Sequence, residues 1–139
     1  MGSVDELVND AYNAITESIG KPFLYMGYNC LIKQYTNEIG ESHFCAYVEL
    51  SWPMMNYFQG FNKAFTARKM NEKLDVHGGV TYIPNINHPH DKHLDLDGYW
   101  MGWDYIHLGD EETTIFDVIE DIQSVVQKLK RLEVEVMYG

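Results

Sequence analysis

The chain has 139 residues, 45% of them hydrophobic and 14% aromatic, with a formal charge of −11. This suits one domain, residues 1–139, with its own hydrophobic core, and excludes a disordered chain. No apolar run nears the roughly 20 residues that cross a bilayer, and so acidic a surface argues against direct nucleic-acid binding, so neither a membrane nor a nucleic acid is expected as partner.

Met1–Glu17 lacks the positive start and apolar block of a signal peptide, which points to a cytoplasmic protein. Ser3-Val4-Asp5-Glu6 forms a capping box, and Val4, Leu7, Val8, Ala11, Ile15 and Ile19 recur at helical spacing before Gly20 and Pro22. A helix is therefore expected over Val4–Ile19.

Phe23–Tyr35 is rich in aromatic and branched residues and reads as one or two strands. In His43–Leu50, Phe44, Ala46, Val48 and Leu50 share one face while Cys45, Tyr47 and Glu49 share the other. Trp52-Pro53 ends that strand. Met54–Phe65 has no clear period, and Lys63–Leu74 reads as a short helix. Cys30 and Cys45 match no zinc spacing and are expected as buried free thiols.

Val76–Ile83 is strand-like around Gly78-Gly79, and Pro84–Asp97 reads as a long solvated loop carrying His88, His90 and His93. That loop has metal-ligand residue types, but Pro89 interrupts it and no helical frame surrounds it; adventitious affinity is expected rather than a dedicated site. Gly98–Tyr105 is a strand with Trp100, Gly102 and Asp104 on one face and Met101, Trp103 and Tyr105 on the other.

The last element is an amphipathic helix. Ile115, Val118, Ile119, Ile122, Val125, Val126, Leu129 and Leu132 keep one face, Thr114 caps it, and Glu133–Tyr138 either extends it or forms an edge strand. Together the elements predict an α+β fold, an antiparallel sheet packed against an N-terminal and a C-terminal helix.

Two segments draw the chemistry. In His77-Gly78-Gly79-Val80-Thr81-Tyr82 a glycine pair inside a strand gives up packing, so a ligand or a second backbone is expected to need the space. In Trp100–Asp110 a carboxylate stands beside a glycine and an indole, with His107 and Asp110 on the following turn. Each of these residues taken singly reads more readily as structural; as a group they point to function. Asp orients an imidazole or accepts from a sugar hydroxyl, and His donates to phosphate or serves as acid or base.

Candidate ligand-binding residues are therefore His77, Gly78, Gly79, Thr81, Tyr82, Tyr47, Trp100, Trp103, Asp104, His107 and Asp110, with the aromatic rings as stacking partners for a base. No catalytic residue is assigned. Phosphate-loop, dinucleotide-binding and nucleophile-elbow motifs are all missing, so no cofactor is expected and conventional nucleotidases, dehydrogenases and hydrolases are disfavoured.

The succession FCAYVEL, VHGGVTY, WMGWDYIHLGD and TIFDVIEDIQSVVQKL resembles a family of small, mostly uncharacterised bacteriophage and prophage proteins. The likeness covers roughly Phe44–Leu129 and is specific in the two glycine-containing motifs. Where members carry a His-Pro pair after the first strand, this chain has Trp52-Pro53. The resemblance implies an accessory protein acting in the host cytoplasm. A non-catalytic, anti-defence protein that sequesters a nucleotide-derived immune signal is the leading expectation. A small metal-assisted or His/Asp hydrolase of such a signal is the first alternative, and an acidic inhibitor of a host defence protein the second. Homo-oligomerisation through the last helix is compatible with the first.

Overall fold

A computed structural model describes residues 19–107 and 109–139, so the expected helix Val4–Ile19 lies almost wholly outside the described residues. The described chain is α+β. A four-stranded antiparallel sheet runs in the order β1 (Phe23–Tyr25), β2 (Tyr28–Thr36), β3 (Ser42–Leu50), β6 (Tyr99–Asp104). Three α-helices accompany it: α1 (Trp52–Phe58), α2 (Lys63–Leu74) and α3 (Ile115–Tyr138).

Phe23–Tyr35 resolves into two strands because Met26 and Gly27 both adopt positive φ, +49° and +84°. Two such residues give the tight hairpin turn whose twist matches the flanking strands. β3 is central, pairing Ala46 with Ile32 on one side and with Trp103 on the other. Its alternation is as expected, and both of its faces are buried. Cys30, Ile32, Ala46, Val48, Leu50, Met101 and Trp103 form the layer under the helices, against Met54, Met55, Phe58, Met70 and the apolar face of α3.

The helix α1 replaces the irregular segment expected after Leu50. Ser51 caps it, accepting from the Met54 N–H, and Pro53 sits in the first turn, where its missing N–H is harmless. Trp52-Pro53 thus ends a strand and begins a helix at once. α2 is capped by Asn62 and stops at Asp75, which adopts φ +48°. In α3 the Thr114 hydroxyl and the Asp117 carboxylate form a reciprocal capping box. Glu133–Tyr138 continues that helix instead of forming an edge strand.

Two expectations fail. Val76–Ile83 is not a strand: Gly78 and Gly79 turn the chain at φ +66° and +87°, and only Tyr82 bridges to the sheet, opposite Gly102. Nor is Pro84–Asp97 merely a solvated loop. It folds a two-residue hairpin, β4 (His90–Asp91) with β5 (Leu96–Asp97), over the second face of the sheet. Leu94 is buried there against Leu31, Cys45, Tyr47 and Trp100. Polar anchors hold the hairpin down. The Tyr82 hydroxyl donates to the Asp91 carboxylate at 2.6 Å, the Trp100 indole N–H to the Asp97 carbonyl at 2.9 Å, and the Tyr99 hydroxyl to the Ile86 carbonyl at 3.1 Å.

No helix among the described residues is long and apolar enough to cross a membrane.

Candidate functional site

The glycine pair and the end of β6 meet. The turn after Val76 delivers His77 to the rim of the sheet, where its ring stacks on Tyr105 at 4.6 Å between centroids and 22° between planes. Tyr105 is itself fixed from within: its hydroxyl accepts from the Trp103 indole N–H at 3.0 Å and donates to the Asp121 carboxylate at 2.6 Å. Burial first, and then the bond to Asp121, push that phenol well above its ordinary range, so it stays neutral and serves as a platform.

Asp110 is the centre of the cluster. Its carboxylate lies 2.9 Å from His77 Nε2 through one oxygen. The other oxygen accepts from the His107 backbone N–H at 3.0 Å and lies 3.4 Å from His107 Nδ1. Burial alone raises this carboxyl, but the His107 N–H together with the hydrogen bond and charge of His77 outweighs it. Asp110 is held below the usual aspartate range.

His107 faces a second carboxylate as well, with its Nδ1 3.7 Å from Asp104 Oδ1. That oxygen is buried and has no hydrogen-bond partner among the described residues. Across the strand pair Asp104 sits opposite Cys45. Burial, followed by the charge of Asp104, pushes the Cys45 thiol up to about 11, and burial pushes Cys30 up to about 12. Neither is a nucleophile at neutral pH.

Gly78 explains itself here. A Cβ at this position would sit 2.7 Å from Cε1 and 2.9 Å from Nδ1 of His107. The left-handed backbone and the imbricated imidazole both require glycine. We predict that Gly78→Ala displaces His107 and lowers stability by about 1–1.5 kcal/mol. Denaturant titration and the His107 ring resonances in proton NMR check this; unmoved resonances would refute the contact.

The structure brings His77, Gly78, Asp104, His107 and Asp110 together. The other candidates do not join them. Trp100 and Trp103 are 2% and 1% exposed, on opposite faces of the sheet, and Tyr47 is buried with Trp100. These rings are packed inside because burying so much apolar surface stabilises the sheet more than a half-open position would. The Gly79 N–H donates to the Val76 carbonyl and the Thr81 N–H to the Gly102 carbonyl, so those donors are already used within the fold. Tyr82 lines a different cleft.

Two clefts flank the cluster and the hairpin. One of about 260 Å³ borders it directly and is lined by Asn37, Ser42, His43, Tyr105, His107, Asp110 and the acids Glu41 and Glu111. The other, of about 470 Å³, lies in the hairpin loop. It is lined by Tyr82, His88, His90, Asp91, Lys92 and His93 together with Asn85 and Gly98. A row of rings links them: His43 on Tyr35 at 5.7 Å, Tyr35 on His93 at 6.3 Å, and His93 against Tyr82 at 5.9 Å.

In the larger cleft His90 is held by Asp97 at 2.8 Å and His93 by the Tyr35 hydroxyl at 3.1 Å. The Lys92 ammonium and the His88 imidazole have no side-chain partner among the described residues. The loop's composition showed Lys92 and the imidazoles plainly. Its polarity pointed to solvent instead of a wall, because its buried anchor Leu94 carries no periodic signal.

Chemically, the Asp110 cluster orients two imidazoles, leaving His77 Nδ1 and His107 Nε2 as the nitrogens not turned toward the carboxylates. Among the described residues no three His, Cys, Asp or Glu side chains gather with metal-binding geometry. Compared with known protein families, with curated proteins and with solved structures, the chain matches none of them.

Proposed function

We propose that this protein binds a small phosphorylated molecule of nucleotide type in the hairpin-loop cleft and holds it without turnover. In the phage setting that the sequence motifs suggest, the ligand is a nucleotide-derived signal of host defence, removed from its receptor by sequestration in the host cytoplasm. One observation carries the reading: Lys92, His88, His90 and His93 surround a single cleft of about 470 Å³ in a chain of net charge −11. Such a volume suits a small ligand. The Lys92 ammonium and the imidazole N–H groups offer donors to an anion that the rest of the surface repels, while Asp91, the acid in that lining, is engaged by the Tyr82 hydroxyl.

Sequestration is favoured over hydrolysis because His77 and His107, the two imidazoles that share the Asp110 carboxylate, are absent from the lining of this cleft, where Asp97 holds His90 alone. The exposed end of α3, with Val134, Met137 and Tyr138, is the surface left for a second copy, since the helix's main apolar face is used within the chain.

Calorimetry with a panel of cyclic dinucleotides and ADP-ribose derivatives tests the proposal. Binding of at least one member is expected, weakened about tenfold or more by Lys92→Ala, the loss of one charge-assisted hydrogen bond. The ligand should be recovered intact after the complex is denatured. Silence across the panel at millimolar ligand would remove the proposal.

A hydrolase is the second reading, favoured by the one carboxylate shared between His77 and His107. Product in the recovered ligand, lost in His107→Ala but not in Lys92→Ala, would put it first.

A further inference from the structure

The chain's few cations are not spread over its surface. Of the ten Lys and Arg residues, Lys63, Arg68, Lys69 and Lys73 lie on α2, and Lys128, Lys130 and Arg131 lie near the end of α3. Helical spacing sets Phe65, Arg68, Lys69, Glu72 and Lys73 on one outward stripe, while Thr66, Met70 and Leu74 turn inward.

That stripe walls an open groove of about 470 Å³ together with Gln59, Gly60 and Phe61. Lys73 also lines the adjoining groove of about 270 Å³ with Lys128, Arg131, Leu132 and Glu135. Lys73 is the residue common to the walls of both grooves. Their walls hold five cations against two carboxylates, in a protein that is elsewhere strongly acidic.

The groove is apolar as well as basic. Phe61 is 92% exposed, and its ring meets the half-exposed Phe65 edge to face at 6.4 Å. Nothing in the fold requires Phe61 to stand out: Gly60 and Asn62 on either side already make the turn contacts, through Thr66 and Phe65. Lys69 is pinned over the Tyr57 ring at 3.9 Å and donates to the Tyr57 carbonyl at 2.7 Å, which stiffens the floor. Paired exposed aromatic rings beside cations form the kind of anchor that protein partners use.

We propose that this face is a docking site for an acidic, amphipathic segment of a partner protein, with an apolar side chain seated on Phe61 and Phe65 and carboxylates along Arg68, Lys73 and Arg131. Charge complementarity selects the occupant. A nucleic-acid strand would need an unbroken phosphate track, but Glu72, 3.3 Å from Arg68, and Glu135 interrupt this one. A segment with spaced carboxylates fits between them. This site lies on residues separate from the hairpin-loop cleft and does not depend on the ligand assigned there.

The test uses the full chain and a fluorescent synthetic peptide of about 20 residues, with Leu and Phe at helical spacing and Glu elsewhere. Saturable binding by anisotropy is expected, weakening as salt rises because the carboxylate contacts are screened. Phe61→Ala and Lys73→Glu should each weaken it about tenfold. Both side chains point outward, so both variants should keep the wild-type unfolding midpoint. An oligothymidylate and a peptide with Lys in place of Glu serve as competitors and should bind more weakly. The proposal is overturned by absent saturation, by wild-type affinity in either variant, by equal binding of the Lys peptide, or by tighter binding of the oligothymidylate.

Discussion

Gly102→Ala is expected to lower the stability of this protein by about 1–3 kcal/mol, the range for atoms forced into a packed interior. Gly102 lies mid-strand in β6, between Tyr47 of β3 and the Tyr82 bridge. A Cβ there would stand 2.6 Å from the Tyr47 ring at Cδ1 and 2.7 Å from the Ala46 carbonyl oxygen. The ring cannot swing away, because it is buried under Leu94 and meets Tyr82 edge to face at 5.2 Å. The carbonyl cannot move without breaking the β2–β3–β6 ladder.

Gly102 is thus the position where an aromatic ring covers a glycine across a strand pair. Ala46→Gly would give no relief, since the clash is with backbone and with Tyr47. Urea titration of Gly102→Ala, with Tyr47→Ala and the double variant as a cycle, measures it. A change below about 0.5 kcal/mol, the noise of a surface substitution, would contradict the described pairing of β3 with β6.

Asp110→Asn should lower stability by about 2 kcal/mol at neutral pH, within the range for hydrogen bonds to a charged group and reduced because both imidazoles are partly open to water. The Asp110 side chain is only 9% exposed. It receives the His107 N–H and one edge of each imidazole, and a neutral amide with two N–H groups cannot serve all three.

The sign with pH follows from the depressed carboxyl. Its folded value lies below its unfolded one, so its contribution is complete above the ordinary aspartate range near pH 4 and is lost as pH falls through the folded value. Wild type and Asp110→Asn should differ fully at pH 7 and converge in strong acid. A difference that stayed constant down to the acid transition would mean that the carboxylate is not what ties the imidazoles down. Ring contact between His77 and Tyr105 should also loosen in the variant, visible as loss of the upfield shift on the His77 protons.

These two variants separate the parts of the molecule. Gly102 belongs to the sheet and acts through packing. Asp110 belongs to the rim and acts through charge, on the two imidazoles whose chemistry distinguishes the hydrolase reading from sequestration.

Periodicity in the sequence was enough for β3, for the two faces of β6 and for the long last helix. In each, the same residues that set the local conformation also supply the buried surface, so pattern and packing agree. The two candidate motifs were legible for a related reason: a glycine pair beside a histidine, and carboxylates beside glycine and indole, break ordinary core patterning and so stand out. What such patterns lack is distance. Only the tertiary structure decided that His77 and His107 share Asp110 and that Gly78 makes room for an imidazole 29 residues on. It also decided that Trp100, Trp103 and Tyr47 are core, because an indole or phenol reads the same in a strand whether its face meets a ligand or Leu94. The hairpin loop shows the limit most clearly: its histidines and Lys92 look solvated in sequence, and they wall a cleft because Leu94, Tyr82 and Trp100 fasten the loop to the sheet by contacts with no local signature.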